Sequence, residues 1–347
     1  MSAPRVYLDH NATAPLRPEA RAAMAAAMDV AGNPSSVHAE GRAAKALVER
    51  VRAQVAEATG AGEADIVLTS GATEGAALAL AGRGLVGAPI EHDAVAGWIE
   101  PALAVGTDGR VRVEAPERST LQLANSETGI VQDLPAGLAA SDVTQGIGRL
   151  PFSYQWSGIG MAILSAHKFG GPKGAGALIL PRGAELDARQ RGGGQEMGRR
   201  SGTENVIGLA GMGAAIEAAM RDLADGVWER VAGLRDLLEG AIASDAPDTT
   251  FVGKGGARLP NTTMMVTPGW KGETQVMGMD LAGFAVSAGS ACSSGKVRRS
   301  PVLEALGIEA ADCGLRVSLG PETTEEDIMR FAEAWGAKRK RLRPRAA

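Results

Sequence analysis

Aromatic side chains are scarce in this chain. Five Trp, two Tyr and five Phe make up 3% of 347 residues, so the core is expected to be built from aliphatics. Cysteine is scarcer still, with Cys292 and Cys313 the only two. Two cysteines make no disulfide framework, and their spacing fits no metal-ligand pattern. Each is expected as a thiol in a reducing compartment, with a small buried residue as the default for either. No apolar run reaches the length of a membrane span. The opening Met1-Ser2-Ala3-Pro4-Arg5-Val6 lacks the apolar core of a signal peptide, which points to a cytoplasmic protein. Charge of one sign is not in excess either. A net charge of -4 offers nothing to nucleic acid or to an anionic membrane. What remains is an ordinary globular profile, 45% hydrophobic and 22% charged, long enough for roughly two domains.

One stretch organises the rest. Ser165-Ala166-His167-Lys168-Phe169-Gly170-Gly171-Pro172-Lys173-Gly174 lies between two short apolar runs, 160–164 and 174–180, that read as buried strands. A lysine at the exit of such a strand is desolvated, which lowers its pKa and makes it a nucleophile suited to a Schiff base with an aldehyde cofactor. The bland alternative is a snorkelling surface lysine.

Along the chain, helices are expected over about 17–29, 41–59, 74–82, 205–224 and 227–243, with Gly32-Asn33-Pro34-Ser35-Ser36 as a loop. Ile66-Val67-Leu68-Thr69 reads as a strand running into Ser70-Gly71-Ala72-Thr73-Glu74-Gly75 and a helix. Strand, glycine turn and helix N-terminus form a phosphate cradle in many proteins and bind nothing in many others. Asn125-Ser126-Glu127 and Asp142 to Gln145 place polar groups at strand ends. Arg191 to Asn205 is a Gly- and Arg-rich loop, either filler or an anion clamp. A domain boundary is expected near 245–248, dividing a large domain, 13–245, from a small one, 246–347, on which residues 1–12 pack. Residues 262–266, 284–287 and 315–319 read as strands of the small domain. Thr323 with Glu326 reads as a capping box opening the last helix. Cys292 sits in Ala288-Gly289-Ser290-Ala291-Cys292-Ser293-Ser294-Gly295-Lys296, where small residues leave it uncovered.

Taken together, these stretches resemble the cysteine desulfurases of the NifS/IscS kind, within the class V aminotransferase-like group of pyridoxal-phosphate enzymes. The matching pieces run in order: Tyr-Leu-Asp-x-Asn-Ala-Thr, Gly-Asn-Pro-Ser-Ser, Thr-Ser-Gly-Ala-Thr-Glu, Glu-His, Asn-x-Glu-x-Gly, Asp-x-Thr-Gln, His-Lys-x-x-Gly-Pro-Lys-Gly, Arg-Ser-Gly-Thr, Gly-Ser-Ala-Cys and Arg-x-Ser-Leu-Gly. The resemblance implies a fold-type I α/β protein, with a mainly parallel sheet of the seven-stranded type and a smaller α/β C-terminal domain. It implies pyridoxal 5'-phosphate bound covalently to Lys168, with Asp142 on the pyridine nitrogen, His92 on the ring face and Gln145 on the phenolate oxygen. Ala72, Thr73, Ser165 and His167 would hold the phosphate, joined by Thr203 across a homodimer interface. Ser126 stands where the family usually has an Asn that touches the cofactor. Arg316 would clamp the substrate carboxylate, near Asn11 and Asn33. Cys292 would take sulfur from L-cysteine as a persulfide, leaving alanine, and Lys296 and Arg298 would favour its thiolate. The sulfur would pass to an acceptor or scaffold protein of iron–sulfur or thio-cofactor assembly. No resident metal is implied, only a transient contact of Cys292 with a cluster.

Selenocysteine lyase, class V aminotransferase and an impaired scaffold subunit are the competing readings, and the Cys292 loop disfavours transamination, which needs no thiol. The chain is also short for the resemblance. Residues 82–89 and 92–125 are trimmed, and the residues between Asp133 and Asp142 leave little room for a crossover helix, which wants a dozen or more. One or two peripheral helices are therefore expected to be missing or reduced to turns.

Overall fold

A computed structural model of the chain describes residues 4–289 and 299–342. Its main sheet has the order Ala64–Thr69, Gly176–Pro181, Ala162–Ser165, Ser141–Asp142. A bridge from Ala140 to Thr120 and another from Ser119 to Val86 extend it, and Val86–Gly87 pairs with Glu100–Pro101. Seven chain segments thus lie side by side. Gly176–Pro181 runs antiparallel to both its neighbours, and every other pairing in the row is parallel in sense. The sheet therefore has the mainly parallel character expected.

Burial explains the strand composition. Ala162–Ser165 is buried at every position, as are Ile66 to Thr69, which matches strands covered on both faces. One cover is the helix Ala39–Ala58, which turns Ala44, Val48, Val51 and Val55 inward. Each fully buried valine contributes about 1.5–3 kcal/mol. Val206–Ala224 packs beside it, started by Asn205, whose side chain accepts from the Gly208 amide at 3.0 Å.

The C-terminal part builds a second sheet, Gly314–Ser318, Thr262–Val266 and Thr250–Phe251, antiparallel throughout. Helices Val227–Asp245, Gly272–Leu281 and Glu325–Leu342 pack around it. The N-terminal segment joins this part: Val6–Tyr7 pairs with Phe284–Ala285, and Asp9 bridges Ser318. The expectation of an aliphatic core holds for the main sheet only. Trp228, Phe251, Trp270, Phe284, Phe331 and Trp335 gather in the C-terminal core. Each such ring buries a large apolar area, so these six carry much of that core. Cys313 is buried in a separate, aliphatic cluster with Ile90, Met264 and Leu303, as expected of a structural thiol.

Two local expectations need correction or refinement. The capping box belongs to Thr324 and Asp327, one residue later: the Asp327 amide donates to Thr324 Oγ1 at 3.2 Å and the Thr324 amide to Asp327 Oδ2 at 3.1 Å. Thr323 Oγ1 instead accepts from the Gly320 amide. Between Asp93 and Ser141, the helical structure among the described residues is Asp93–Ala96 and the single turn Pro116–Arg118. The peripheral helices there are indeed reduced to turns.

Candidate active site

Parallel strands deliver their C-terminal ends to one edge of a sheet, and ligands of open α/β folds bind outside that edge. Here that edge carries Ser70 to Thr73, His92, Ser126, Asp142 to Gln145 and Ser165 to Lys168. They surround a cleft of about 550 Å³.

The buried strand Ala162–Ser165 ends in the tight turn Ala166–Lys168, pinned behind by buried Phe169. The turn swings Lys168 into the cleft, where it is half-buried. Its Nζ donates to the carbonyls of Asn11 at 2.7 Å and Ala12 at 2.9 Å. His167 sits beside it, its Nδ1 3.2 Å from Thr13 Oγ1. Burial, with the nearby charge of Lys168 and Lys173, pushes the His167 pKa down to about 4, so the ring is neutral at pH 7.

The opposite wall is the start of helix Ala72–Leu80. Gly71 precedes it at φ 152°, a conformation side chains rarely adopt, and no side chain caps the helix. A Cβ on Gly176, in the adjacent strand, would lie 2.6 Å from Gly71 Cα, so strand and turn touch backbone to backbone. The first-turn acid, Glu74, does not spoil this helix end for an anion. Its carboxylate accepts from the Ser70 amide at 2.7 Å and from Arg200 Nε at 2.7 Å, and these bonds hold its pKa below the usual range despite burial.

Asp142 Oδ1 accepts from the Thr144 amide at 2.9 Å, which fixes the carboxyl at the cleft floor. Gln145 Nε2 donates to the Asn11 carbonyl at 3.1 Å. His92 caps the short helix Asp93–Ala96, its Nδ1 accepting from the Ala94 amide at 3.1 Å, so a neutral ring carries its proton on Nε2.

A second cleft, of about 710 Å³, adjoins the first and shares Ala12, His92, Ser126 and Lys168 with it. Arg316 lines it, buried on strand Gly314–Ser318. Its Nη2 donates to Asp9 Oδ1 at 2.8 Å and its Nη1 to the Ser126 carbonyl at 3.1 Å, while Nε is buried without a partner. Ser287 Oγ holds Asp9 at 2.9 Å. Two carboxyls face this cleft, Glu91 buried and Glu127 half-buried. Burial raises Glu91 to about 8 and Glu127 to about 7, the latter against the opposing bond from Ser300 Oγ at 2.6 Å.

The chain matches the family model described as Aminotransferase class-V over residues 6–95 and 119–331. The chain belongs to the aminotransferase class-V family. It is 39% identical to a cysteine desulfurase of Frankia sp. (strain EuIK1), covering 94% of this chain and 90% of the relative. It is 37% identical to a cysteine desulfurase of Cereibacter sphaeroides, covering 95% and 94%. Among solved structures, a NifS-like protein from Rickettsia africae ESF-5 superposes with a TM-score of 0.87 at 32% identity, over 97% of this chain and 99% of that one. The internal stretch the family model leaves unmatched, 96–118, falls where the peripheral helices are reduced to turns.

Within this class-V chain, the cleft gathers Ala72, Thr73, His92, Ser126, Asp142, Gln145, Ser165, His167 and Lys168. Arg316 and Asn11 line the second cleft. The Asn11 side chain is engaged within the protein: Nδ2 donates to Thr262 Oγ1 and the Ser126 carbonyl, and Oδ1 accepts from Asn261 and Arg149. Asn33 lies outside both clefts, exposed in its loop, with Oδ1 accepting from the Ser35 amide. Thr203 is also outside them, exposed on a segment pinned by Arg52–Glu196, Arg199–Asp65 and Arg200–Glu74. Cys292, Lys296 and Arg298 fall outside the described residues. Sequence reasoning missed Asp9, Glu91, Glu127 and Arg149. Asp9, Glu91 and Glu127 lie inside the sequence motifs, but nothing local tells that Asp9 meets an arginine 307 residues away.

Proposed function

We propose that the chain is a pyridoxal-phosphate-dependent cysteine desulfurase. The observation that carries this reading is the convergence on Lys168 of two clefts, one with an uncapped helix end and an acid, the other with a buried arginine. The similarity to cysteine desulfurases over nearly the whole chain supports it.

The residues fit the cofactor. The uncapped helix end behind Gly71, with Ala72, Thr73, Ser165 and neutral His167, suits a phosphate. Asp142 would hold a proton on the pyridine nitrogen, Gln145 would bond the ring hydroxyl, and His92 and Ser126 would lie against the ring. Thr203 of a second copy would complete the phosphate site, which makes the active form a homodimer. When bound, the cofactor supplies an electron sink that loosens bonds at the substrate's α and β carbons. Lys168 carries protons at Nζ between those carbons and the cleft. Arg316 exchanges Asp9 for the carboxylate of L-cysteine and so orients the substrate. Cys292 takes the sulfur: a sulfur–sulfur bond forms on its Sγ, the carbon–sulfur bond of the substrate breaks, and alanine leaves. An acceptor protein of iron–sulfur or thio-cofactor assembly in the cytoplasm then takes the outer sulfur, the sulfur–sulfur bond breaks, and Cys292 returns to the thiol. The large domain, 13–245, would hold the cofactor, and 246–347 with 1–12 would bring Arg316 and the thiol to it.

Purified protein given L-cysteine and a reductant should release sulfide and alanine in equal amounts. Lys168→Ala should lose both products and the yellow colour, whereas Cys292→Ala should keep the colour and lose sulfide. Keto acid without sulfide would mean transamination, and a colourless, inert protein would mean a scaffold.

A further inference from the structure

Arg149 is 3% exposed, in the turn that follows Ser141–Asp142. Among the described residues it has no carboxylate within ion-pairing distance. Of the acids that line the small cleft it shares with Lys168, Asp222 is held by Arg17 at 2.5 Å and Glu19 by Arg221 at 3.6 Å, while Glu322 is exposed. A buried, unpaired guanidinium is costly, and a fold keeps one only where its hydrogen bonds are well used. Its Nη2 donates to the Lys168 carbonyl at 2.7 Å. Its Nη1 donates to Gln145 Oε1 at 2.5 Å and to Asn11 Oδ1 at 3.3 Å. Asn11 and Gln145 close the circuit, because the Asn11 carbonyl accepts both from Gln145 Nε2 and from Lys168 Nζ. Trp228 covers the guanidinium from the far side, 5.9 Å from the ring centroid.

We propose that Arg149 is a positioning residue for Lys168: it locks the lysine turn, Gln145 and Asn11 into one arrangement and, as an uncompensated cation, favours the neutral form of the Lys168 amine. Only the neutral amine has a lone pair for an aldehyde carbon. The charges around the pair come from several elements. The carbonyls of Asn11 and Ala12 favour the charged amine, and so do the acids lining the clefts around it: Asp142 and Glu74 in the first, Asp9, Asp93, Glu91 and Glu127 in the second, and Asp222, Glu19 and Glu322 on the side of Arg149. Lys173 in the cleft and Arg17 and Arg316 near Arg149 oppose it, while His10, buried near Arg149, and His167 are neutral at pH 7. His92 lines the cleft as well. Burial, with the charges of Arg316 and Arg17, pushes the Arg149 pKa down to about 9, yet it stays charged at pH 7.

The sign follows: removing a neighbouring cation raises an amine's proton affinity. Competitive labelling of Lys168 with trace acetic anhydride in the cofactor-free full chain, read by peptide mass spectrometry from about pH 6 to 11, reports that affinity. Arg149→Met should raise the midpoint by about one pH unit, roughly tenfold in affinity, and Arg149→Lys should leave it within about 0.3. The absorption of pyridoxal-phosphate-loaded protein, titrated over the same range, should move the same way. A folded Arg149→Met protein with an unmoved midpoint overturns the proposal. So does an Arg149→Lys midpoint displaced by a full unit, and that variant decides alone if Arg149→Met does not fold. The spectral arm rests on the cofactor reading and the labelling arm does not, so a wild-type chain that takes up no chromophore defeats the former and leaves Arg149 to be judged on labelling.

Discussion

Glu91 offers a stability test whose sign is set by burial. Its carboxyl is enclosed, with Oε1 accepting from the Gln122 amide at 2.9 Å and Oε2 without a partner. Burial, reinforced by Asp142, raises its pKa from 4.5 to about 8. Between those values the folded chain holds a proton that the unfolded chain has released, so stability falls as pH rises through the interval. The full interval amounts to about 5 kcal/mol, at about 1.4 kcal/mol per pH unit. Glu91→Gln keeps the shape and the acceptor for Gln122 but has no proton to lose. Its stability advantage over wild type should be about 1 kcal/mol at pH 5 and grow by about 3 kcal/mol by pH 8. Urea unfolding of both proteins at intervals across that range, with equal m values, gives the difference directly. Glu127, raised to about 7, tilts both curves alike and cancels. Parallel curves for the two proteins would refute the reasoning.

Other expectations are simpler. Arg52 binds Glu196 through two bonds of 2.8 and 3.0 Å, and Glu196 Oε2 also accepts from the Leu68 amide. Arg52→Met should cost about 3–5 kcal/mol in urea unfolding, and adding Glu196→Met should recover part of the loss. Arg316→Lys keeps the charge but loses the fork, so KM for L-cysteine should rise about tenfold or more while the absorption of bound cofactor stays unchanged. Gly176→Ala would press a methyl to within 2.7 Å of the Leu164 carbonyl and against Gly71. It should cost about 1–3 kcal/mol and loosen cofactor retention in dialysis.

The site's outline was legible because its groups follow strands that can be recognised one at a time. Lys168, Asp142, Ser165 and the Gly71 turn each stand just after a short apolar run, and parallel pairing sends all of them to one edge. What escaped depends on separation along the chain. Arg149 reads as an ordinary turn arginine until Trp228 and residue 11 arrive from elsewhere. The last helix shows the limit at short range: Thr323/Glu326 and Thr324/Asp327 both satisfy the same spacing, and only backbone geometry chooses. The aromatics escaped for a related reason. Their share of composition is small, but composition says nothing of their concentration around one sheet.

The carbonyls that receive the Lys168 amine belong to residues 11 and 12, and the strand leading to them is held by residues 284–285, with residue 9 on 318. During vectorial synthesis residues 6–12 leave the ribosome without their partners, and wait until about 270 to 310 further residues have been made. A nascent chain halted before residue 284 would own the lysine but not its receptor, so competence to load cofactor should arise only once residues 284–318 have emerged.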